Sequence, residues 1–292
     1  MFLVASGEAR WLVKAPRSGS ESWFYETIGP HVRWIPTHTD VADPSVVLTE
    51  YLEGCPSLFD ISAADPAEAI DGLVSLAPVL AELHRWPTEG AEVPSATPPL
   101  PELDPVHVSA WVDGTQPSRH LLRSLQRRER LCQSLRRACA RVGPQGLIHG
   151  DLKLDNVLSS PAGPIVIDWE LGGHGPLAWD LGSVLGSILA IWIDGADLDQ
   201  PAPDHWFENA VIPYPEACSA VRRFVSEYRA RVTGPMMPTL SILVDYLASW
   251  LVARSWVESS LISQVNPRHL LRLIIAEGIV RSPQALLPEF AG

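Results

Sequence analysis

Over residues 1 to 15 apolar and polar side chains alternate with the period of a β-hairpin. "MFLVAS" reads as one strand, Gly7-Glu8 as the turn and "RWLVKAP" as the second strand, with Trp11 and Val13 alternating against Leu12 and Lys14. "SESWFYETIGPHV" then reads as a helix, with Ser18 or Ser20 available as N-cap and Trp23, Phe24 and Ile28 as core. The apolar run "VVLTEYLEG" is a further strand that leads into Glu50, Tyr51 and Leu52. From residue 66 apolar side chains recur at three and four: Ile70, Leu73, Val74, Ala77, Leu80 and Ala81 predict a helix over 66–86, with His84 as a structural or capping residue. The proline-rich stretch 87–118 predicts a loop. Leu121, Leu125, Leu131 and Leu135 make 119–142 an amphipathic helix whose arginine run reads as a solvated face. Residues 181–193 are apolar but too short for a bilayer, so a buried helix is expected there, followed by helices at about 215–233, 236–261 and 267–281.

The stretch 147–170, "LIHGDLKLDNVLSSPAGPIVIDWE", carries the densest chemistry. Asp151, Asn156 five residues later, and Asp168 are distributed around one short hairpin whose turn is the Ser159 to Gly163 cluster. The run Ile165, Val166, Ile167 reads as a buried strand that delivers Asp168 at its end. Phosphoryl transfer needs this order: one Asp to accept the proton of an attacking hydroxyl, then an Asn and a second Asp to hold magnesium against the nucleotide's phosphates.

These residues resemble the aminoglycoside phosphotransferase and choline kinase family, a branch of the protein-kinase-like fold. His149, Gly150, Asp151 and Asn156 match its His-Gly-Asp-x-x-x-x-Asn loop, and Ile167, Asp168, Trp169 and Glu170 its metal-binding segment; Gly175, Pro176, Asp180 and Leu181 approximate a downstream turn. The resemblance implies an α+β fold with a small β-rich lobe over 1–53 and a mainly helical lobe over 54–292. It implies ATP and Mg2+ as cofactors, Asp151 as the catalytic carboxylate, and Asn156 and Asp168 as metal ligands. Lys14 would hold the phosphates, kept in place by Glu21 or alternatively Glu26, and the backbone of Glu50, Tyr51 and Leu52 would meet the adenine edge. Lys153, two residues after Asp151, stands where Ser/Thr protein kinases keep a lysine on the transferring phosphate. Only thirteen residues precede Lys14, room for one strand rather than two, and no Gly-rich loop is present. A shortened small lobe is therefore expected, its first strand and covering loop lying upstream of Met1, supplied by a partner chain, or absent.

Charge narrows the partners. A net charge of -12 argues against nucleic acid, which is bound by neutralising phosphates with Lys and Arg, and it suits a cationic acceptor. No membrane partner is expected either. Four cysteines show no metal or disulfide spacing, Cys132 and Cys139 read as core on one helix face, and a reducing cytoplasm is the expected location. The acceptor is a hydroxylated small molecule or, in a second reading, a Ser/Thr hydroxyl of a peptide such as a natural-product precursor; a non-catalytic nucleotide-binding scaffold is the competing class. Asp194, Asp197, Asp199, Asp204 and Glu208 form either a solvated loop or a rim for a cationic acceptor, and Trp250 and Trp256, beside Asp245 and Glu258, are further acceptor candidates.

Overall fold

The computed structural model describes residues 2–6, 9–15, 18–39, 46–89, 92–96, 98, 108–140, 143–202 and 205–288. The chain divides into two compact units, Met1–Pro98 with Gly146–Gly175, and Pro99–Gln145 with Pro176–Gly292.

In the first unit β1 (Phe2–Ser6) and β2 (Ala9–Lys14) pair antiparallel from Phe2↔Val13 to Ser6↔Ala9, the hairpin expected from the alternation, although its turn residues Gly7 and Glu8 lie outside the described residues. With β3 (His38–Thr39) and β4 (Val47–Glu50) they form a sheet of order β1-β2-β4-β3. Helix α1 (Gly19–Thr27) buries Phe24 and Tyr25, while Trp23 is only half-buried. Helix α2 (Leu58–Ala64) opens on a reciprocal capping box between Ser57 and Asp60. The single helix expected over 66–86 is two, α3 (Pro66–Val74) and α4 (Ala77–His84). Pro78 explains the break: it has no N–H to give to the carbonyl of Val74, and its ring excludes that carbonyl from a continuous helix.

Strand β5 (Gln145–Ile148) pairs with β8 (Gly173–Pro176), and β6 (Val157–Ser160) forms a hairpin with β7 (Gly163–Val166) in the register Val157↔Val166 to Ser160↔Gly163. The run ending at Ile167 is less buried than its composition predicts. Val166 is buried, but Ile165 and Ile167 are half-exposed, because Ile167 has already left the strand to line a cavity. The proline-rich stretch is not all loop: Ala96 donates to the His174 carbonyl at 3.0 Å and His174 to that of Pro94 at 2.7 Å, and helix begins again at Val108.

The second unit is helical: α5 (Val108–Val112), α6 (Gln116–Gln126), α7 (Glu129–Cys139), α8 (Leu177–Asp194), α9 (Tyr214–Arg229), α10 (Leu240–Ser260), α11 (Pro267–Arg281) and α12 (Pro283–Leu286). The basic helix expected over 119–142 is thus the pair α6 and α7, parted at Arg127 and Arg128, where the Arg128 guanidinium folds back on the Ser124 hydroxyl at 2.8 Å. Cys132 is buried as expected but Cys139, the last residue of α7, is exposed. Helix α8 extends beyond the apolar run on both sides. By length and composition alone it and the stretch Gly234–Ser260 could cross a bilayer, yet 89% and 67% of those windows are buried inside the protein. Their closeness depends on small residues: a Cβ at Gly186 would fall 2.3 Å from the Trp250 ring.

Buried charge fastens these helices. Asp245 accepts from Ser134 at 2.6 Å and from Arg137 at 2.6 and 2.7 Å, joining α10 to α7. Arg272, only 5% exposed, reaches Glu258 at 2.5 Å and Asp194 at 3.0 Å, and Glu258 also takes Arg254 and His269. Asp194, Asp245 and Glu258, acceptor candidates in the sequence, are therefore occupied by ion pairs of this unit, and the exposed Glu208 carboxylate lies 2.6 Å from His205 Nδ1. Asp204 lies outside the described residues.

Two outcomes test this packing. Gly186→Ala, with Trp250 in the way, should lower stability by roughly 1–3 kcal/mol, whereas Gly278→Ala on α11, with nothing within 4 Å of its new methyl, should be neutral or slightly stabilising in thermal denaturation. Burial raises the Glu258 carboxyl, but the hydrogen bond with His269 and the charges of Arg272 and Arg254 outweigh it and bring the pKa down to about 2. Its contribution is then present above the ordinary carboxylate value and lost as pH falls from there toward 2. The difference in Tm between wild type and Glu258→Gln should shrink across that range; a constant difference would contradict the pairing.

Candidate active site

Asp168 follows β7 with φ 66° and ψ 63°, the one positive-φ residue other than glycine among the described residues. A left-handed conformation costs a side-chain-bearing residue roughly 1–2 kcal/mol, so neighbouring bonds must hold it. Ile167 donates to the Asn156 carbonyl at 3.0 Å and accepts from His149 Nε2 at 2.9 Å. On the other side the Trp169 indole donates to the Val166 carbonyl at 3.1 Å, and the Ser18 hydroxyl, which caps no helix, donates to that of Glu170 at 2.6 Å. Trp169 is fully buried, stacked on Phe24 at 4.5 Å and edge-on to the His149 ring at 4.6 Å.

His149 links this turn to the loop that carries Asp151. Because Nε2 faces a carbonyl it carries the proton, leaving Nδ1 to accept the Asp151 amide at 3.2 Å. Gly150 between them has φ 81°, and a Cβ there would lie 2.3 Å from the Leu171 carbonyl oxygen, so both backbone conformation and space require glycine. Asn156 Nδ2 donates to the Asp151 carbonyl at 2.8 Å and lies 3.3 Å from Asp151 Oδ2, which leaves Asn156 Oδ1 without a side-chain or backbone donor among the described residues. Lys153 Nζ donates to the same Oδ2 at 2.6 Å, leaving Asp151 Oδ1 as the uncommitted carboxylate oxygen among the described residues.

Lys14, last in β2, sits among three carboxylates: Glu21 at 3.1 Å, Glu170 at 2.5 Å, and Asp168. Glu21, and not Glu26, is its helix partner; Glu26 is exposed and lines a different cavity. Glu21 is only 2% exposed, so the pair is more buried than an open cleft would leave it. Its Oε2 is within ion-pair reach of Lys14 but carries no hydrogen bond, the bond running to Oε1 at 3.3 Å. Burial pushes the Glu21 carboxyl up, and Lys14 offsets only part of that. For Lys14 burial works against the charge, yet hydrogen bonds to Asp168 and Glu170 and the charge of Glu21 hold its pKa above the ordinary lysine value. Carboxylate oxygens of Glu21, Asp168 and Glu170 lie within 4.8 Å of one another, all facing the Lys14 ammonium; of the three, Asp168 shares its cavity with Asn156, and two such oxygen donors suit a divalent cation.

Lys14, Glu21, Glu50, Tyr51, Leu52, Asn156 and Asp168 all line one cavity of ≈ 810 Å³ within the first unit; Asp151 and Lys153 join it through Asn156. Leu12, Val47 and Ile167 supply its apolar wall. In the strand-end segment the Glu50 amide is bonded to the Thr37 carbonyl at 2.8 Å and the Tyr51 amide to that of Arg10 at 2.9 Å, so Leu52 is the one of the three whose N–H has no backbone acceptor among the described residues. Sequence reasoning did not single out Glu170 or Tyr25. Glu170 stood inside the quoted Ile-Asp-Trp-Glu segment, two positions after Asp168. Tyr25 lies one helical turn after Glu21, on the same face of α1 and against the same cavity.

A sequence profile described as the phosphotransferase enzyme family matches residues 3–215. Thiamine kinase of Escherichia coli is 27% identical over 169 residues, 54% of this chain, and the chain spans only about half (55%) of that relative's length. Among solved structures, a choline kinase from Streptococcus pneumoniae superposes with a TM-score of 0.58 at 16% identity, over 96% of this chain and 89% of that one. A glucosamine kinase in complex with glucosamine, ADP and inorganic phosphate gives 0.65 at 16% identity, over 99% and 80%. These likenesses identify the α+β architecture as the protein-kinase-like fold. Since the profile match covers most of the chain, a span that includes Lys14, Glu21, the loop from His149 to Asn156 and Asp168, the chain belongs to the phosphotransferase enzyme family.

Proposed function

We propose that this chain transfers the γ-phosphate of ATP, with magnesium, to a hydroxyl group of a small molecule. The observation that carries this reading is the meeting of Lys14, Glu21, Asn156 and Asp168 on one cavity wall, with Asp151 fastened to Asn156. Phosphoryl transfer asks a protein mainly for positioning and charge neutralisation, and these side chains divide that work. Lys14, steadied by Glu21, is placed to contact the phosphates. Asp151 Oδ1 is the oxygen left to accept or orient the acceptor hydroxyl's proton, while Lys153 neutralises the other side of that carboxylate. Asn156 Oδ1 and Asp168 would hold the magnesium, which when bound supplies charge neutralisation at the phosphates. Of the strand-end backbone, Leu52 N–H is the donor free for a base edge.

The acceptor reading draws on the relatives' names. Thiamine, choline and glucosamine are hydroxylated molecules bearing a cationic nitrogen, which supports a small cationic alcohol over a peptide. The proposed division of labour keeps the lobe boundary near Gly54, just beyond β4, and the proposed setting is a reducing cytoplasm, which suits four free cysteines.

Asp168→Ala should abolish transfer, and Asp151→Asn should slow it by roughly two to four orders of magnitude, measured with radiolabelled ATP against an amino-alcohol and aminoglycoside panel and Ser/Thr peptides. Normal turnover in Asp168→Ala would sink the assignment; label only in peptide would replace the acceptor class; ATP binding by thermal shift with no turnover on any acceptor would favour a scaffold. Glu21→Ala should lower kcat/KM for ATP by roughly 10- to 100-fold with little change in Tm, because Lys14 retains Asp168 and Glu170. Glu26→Ala should do neither.

A further inference from the structure

We propose that the outward face of the α6–α7 hairpin is a docking surface for an anionic lipid bilayer. Residues 116–140 hold seven arginines against one glutamate, net +6 in a chain of -12, so the remainder carries -18. The hairpin's apolar side chains, Leu121, Leu122, Leu125, Leu131 and Leu135, are buried where α6 and α7 pack on α10 and α11. That packing turns the arginines to solvent. Arg119, Arg123 and Arg127 recur every fourth residue, a single stripe, and Arg130 opens the next helix; all four are exposed. Arg128 and Arg137 have internal partners in Glu277 and Asp245, but these four have no carboxylate within ion-pair distance among the described residues.

The kind of polyanion follows from what stands beside the stripe. Thr115, which caps α6, donates its hydroxyl to the Ser259 carbonyl at 2.8 Å and so brings the start of the hairpin to the end of α10. The large apolar side chains flanking that bond are exposed, Val112 at 70% and Leu261 at 80%. Arginines with protruding aliphatic groups at one end match a headgroup layer above acyl chains. Single-stranded nucleic acid would want an open aromatic platform, and the aromatic ring here, Trp111, has the Arg123 guanidinium 6.0 Å over it. The negative charge elsewhere does not forbid approach, because beyond about 8 Å it is screened at physiological salt. It does dictate orientation, with this face toward the lipid. Each arginine near an anionic surface gains roughly fivefold in partition, so the four together give several hundredfold.

The test is co-sedimentation of the full chain with phosphatidylcholine vesicles, with and without about 30% phosphatidylserine. Wild type should pellet only with the anionic vesicles, and less as salt rises. Arg119→Gln/Arg123→Gln/Arg127→Gln/Arg130→Gln should lose that binding by roughly a hundredfold or more with unchanged Tm, all four being exposed. Val112→Ser/Leu261→Ser should weaken it while keeping the salt dependence. Absence of pelleting, or equal pelleting of the quadruple variant, overturns the proposal; so does retention on duplex DNA, RNA or polyglutamate without retention on vesicles, which would give the face to a nucleic acid or an acidic protein.

Discussion

The left-handed backbone at Asp168 is the constraint on which the site depends. It parts two consecutive side chains, sending Trp169 into the core and leaving Asp168 about one-third exposed against the cavity. The conformation persists because hydrogen bonds on both sides over-determine it. His149 is central to that set: one ring nitrogen holds the carbonyl before Asp168 and the other holds the amide of Asp151, so a single neutral imidazole sets the spacing of two carboxylates.

Electrostatics then acts on a fixed frame. Three carboxylates converge on one ammonium, partly out of water, and its attraction works against their mutual repulsion. Their anchor points are set by the fold, since Glu21 is on a helix, Lys14 on a strand and Asp168 and Glu170 on a turn pinned through Ser18 and Trp169. Under the proposed function the surplus negative charge would favour a divalent cation, while Lys14 is the positive group placed to meet phosphates, and both are fixed in advance by the frame.

Much of this was readable in the chain. The loop from His149 to Asn156, the hairpin after it, the N-terminal alternation and the buried helix around Leu185 all declared themselves through spacing and periodicity. What periodicity could not convey were interruptions smaller than its window. Pro78 divides one apolar stripe into two helices without disturbing the stripe, and the break at Arg127 and Arg128 separates two runs that share an arginine-rich composition. Three-dimensional neighbours were also invisible. Asp194, Asp245 and Glu258 look like ligands when only their charge is known, and become structural once Arg272 and Arg137 are seen opposite them. The sequence favoured Glu21 and kept Glu26 as the alternative; which way α1 faces decided the pairing with Lys14.

Within the proposed function, the strand-end amides bear on base selection. With the N–H groups of Glu50 and Tyr51 spent in backbone hydrogen bonds, the segment proposed as the base edge would offer a purine one donor among the described residues, at Leu52. Adenine presents an acceptor, N1, on that edge, whereas guanine presents a hydrogen there and must slide to bring O6 into line. A pocket walled by fixed side chains such as Leu12 and Val47 resists that slide. Discrimination between the two purines would thus be built into the spacing of a single peptide unit and need no side chain dedicated to it.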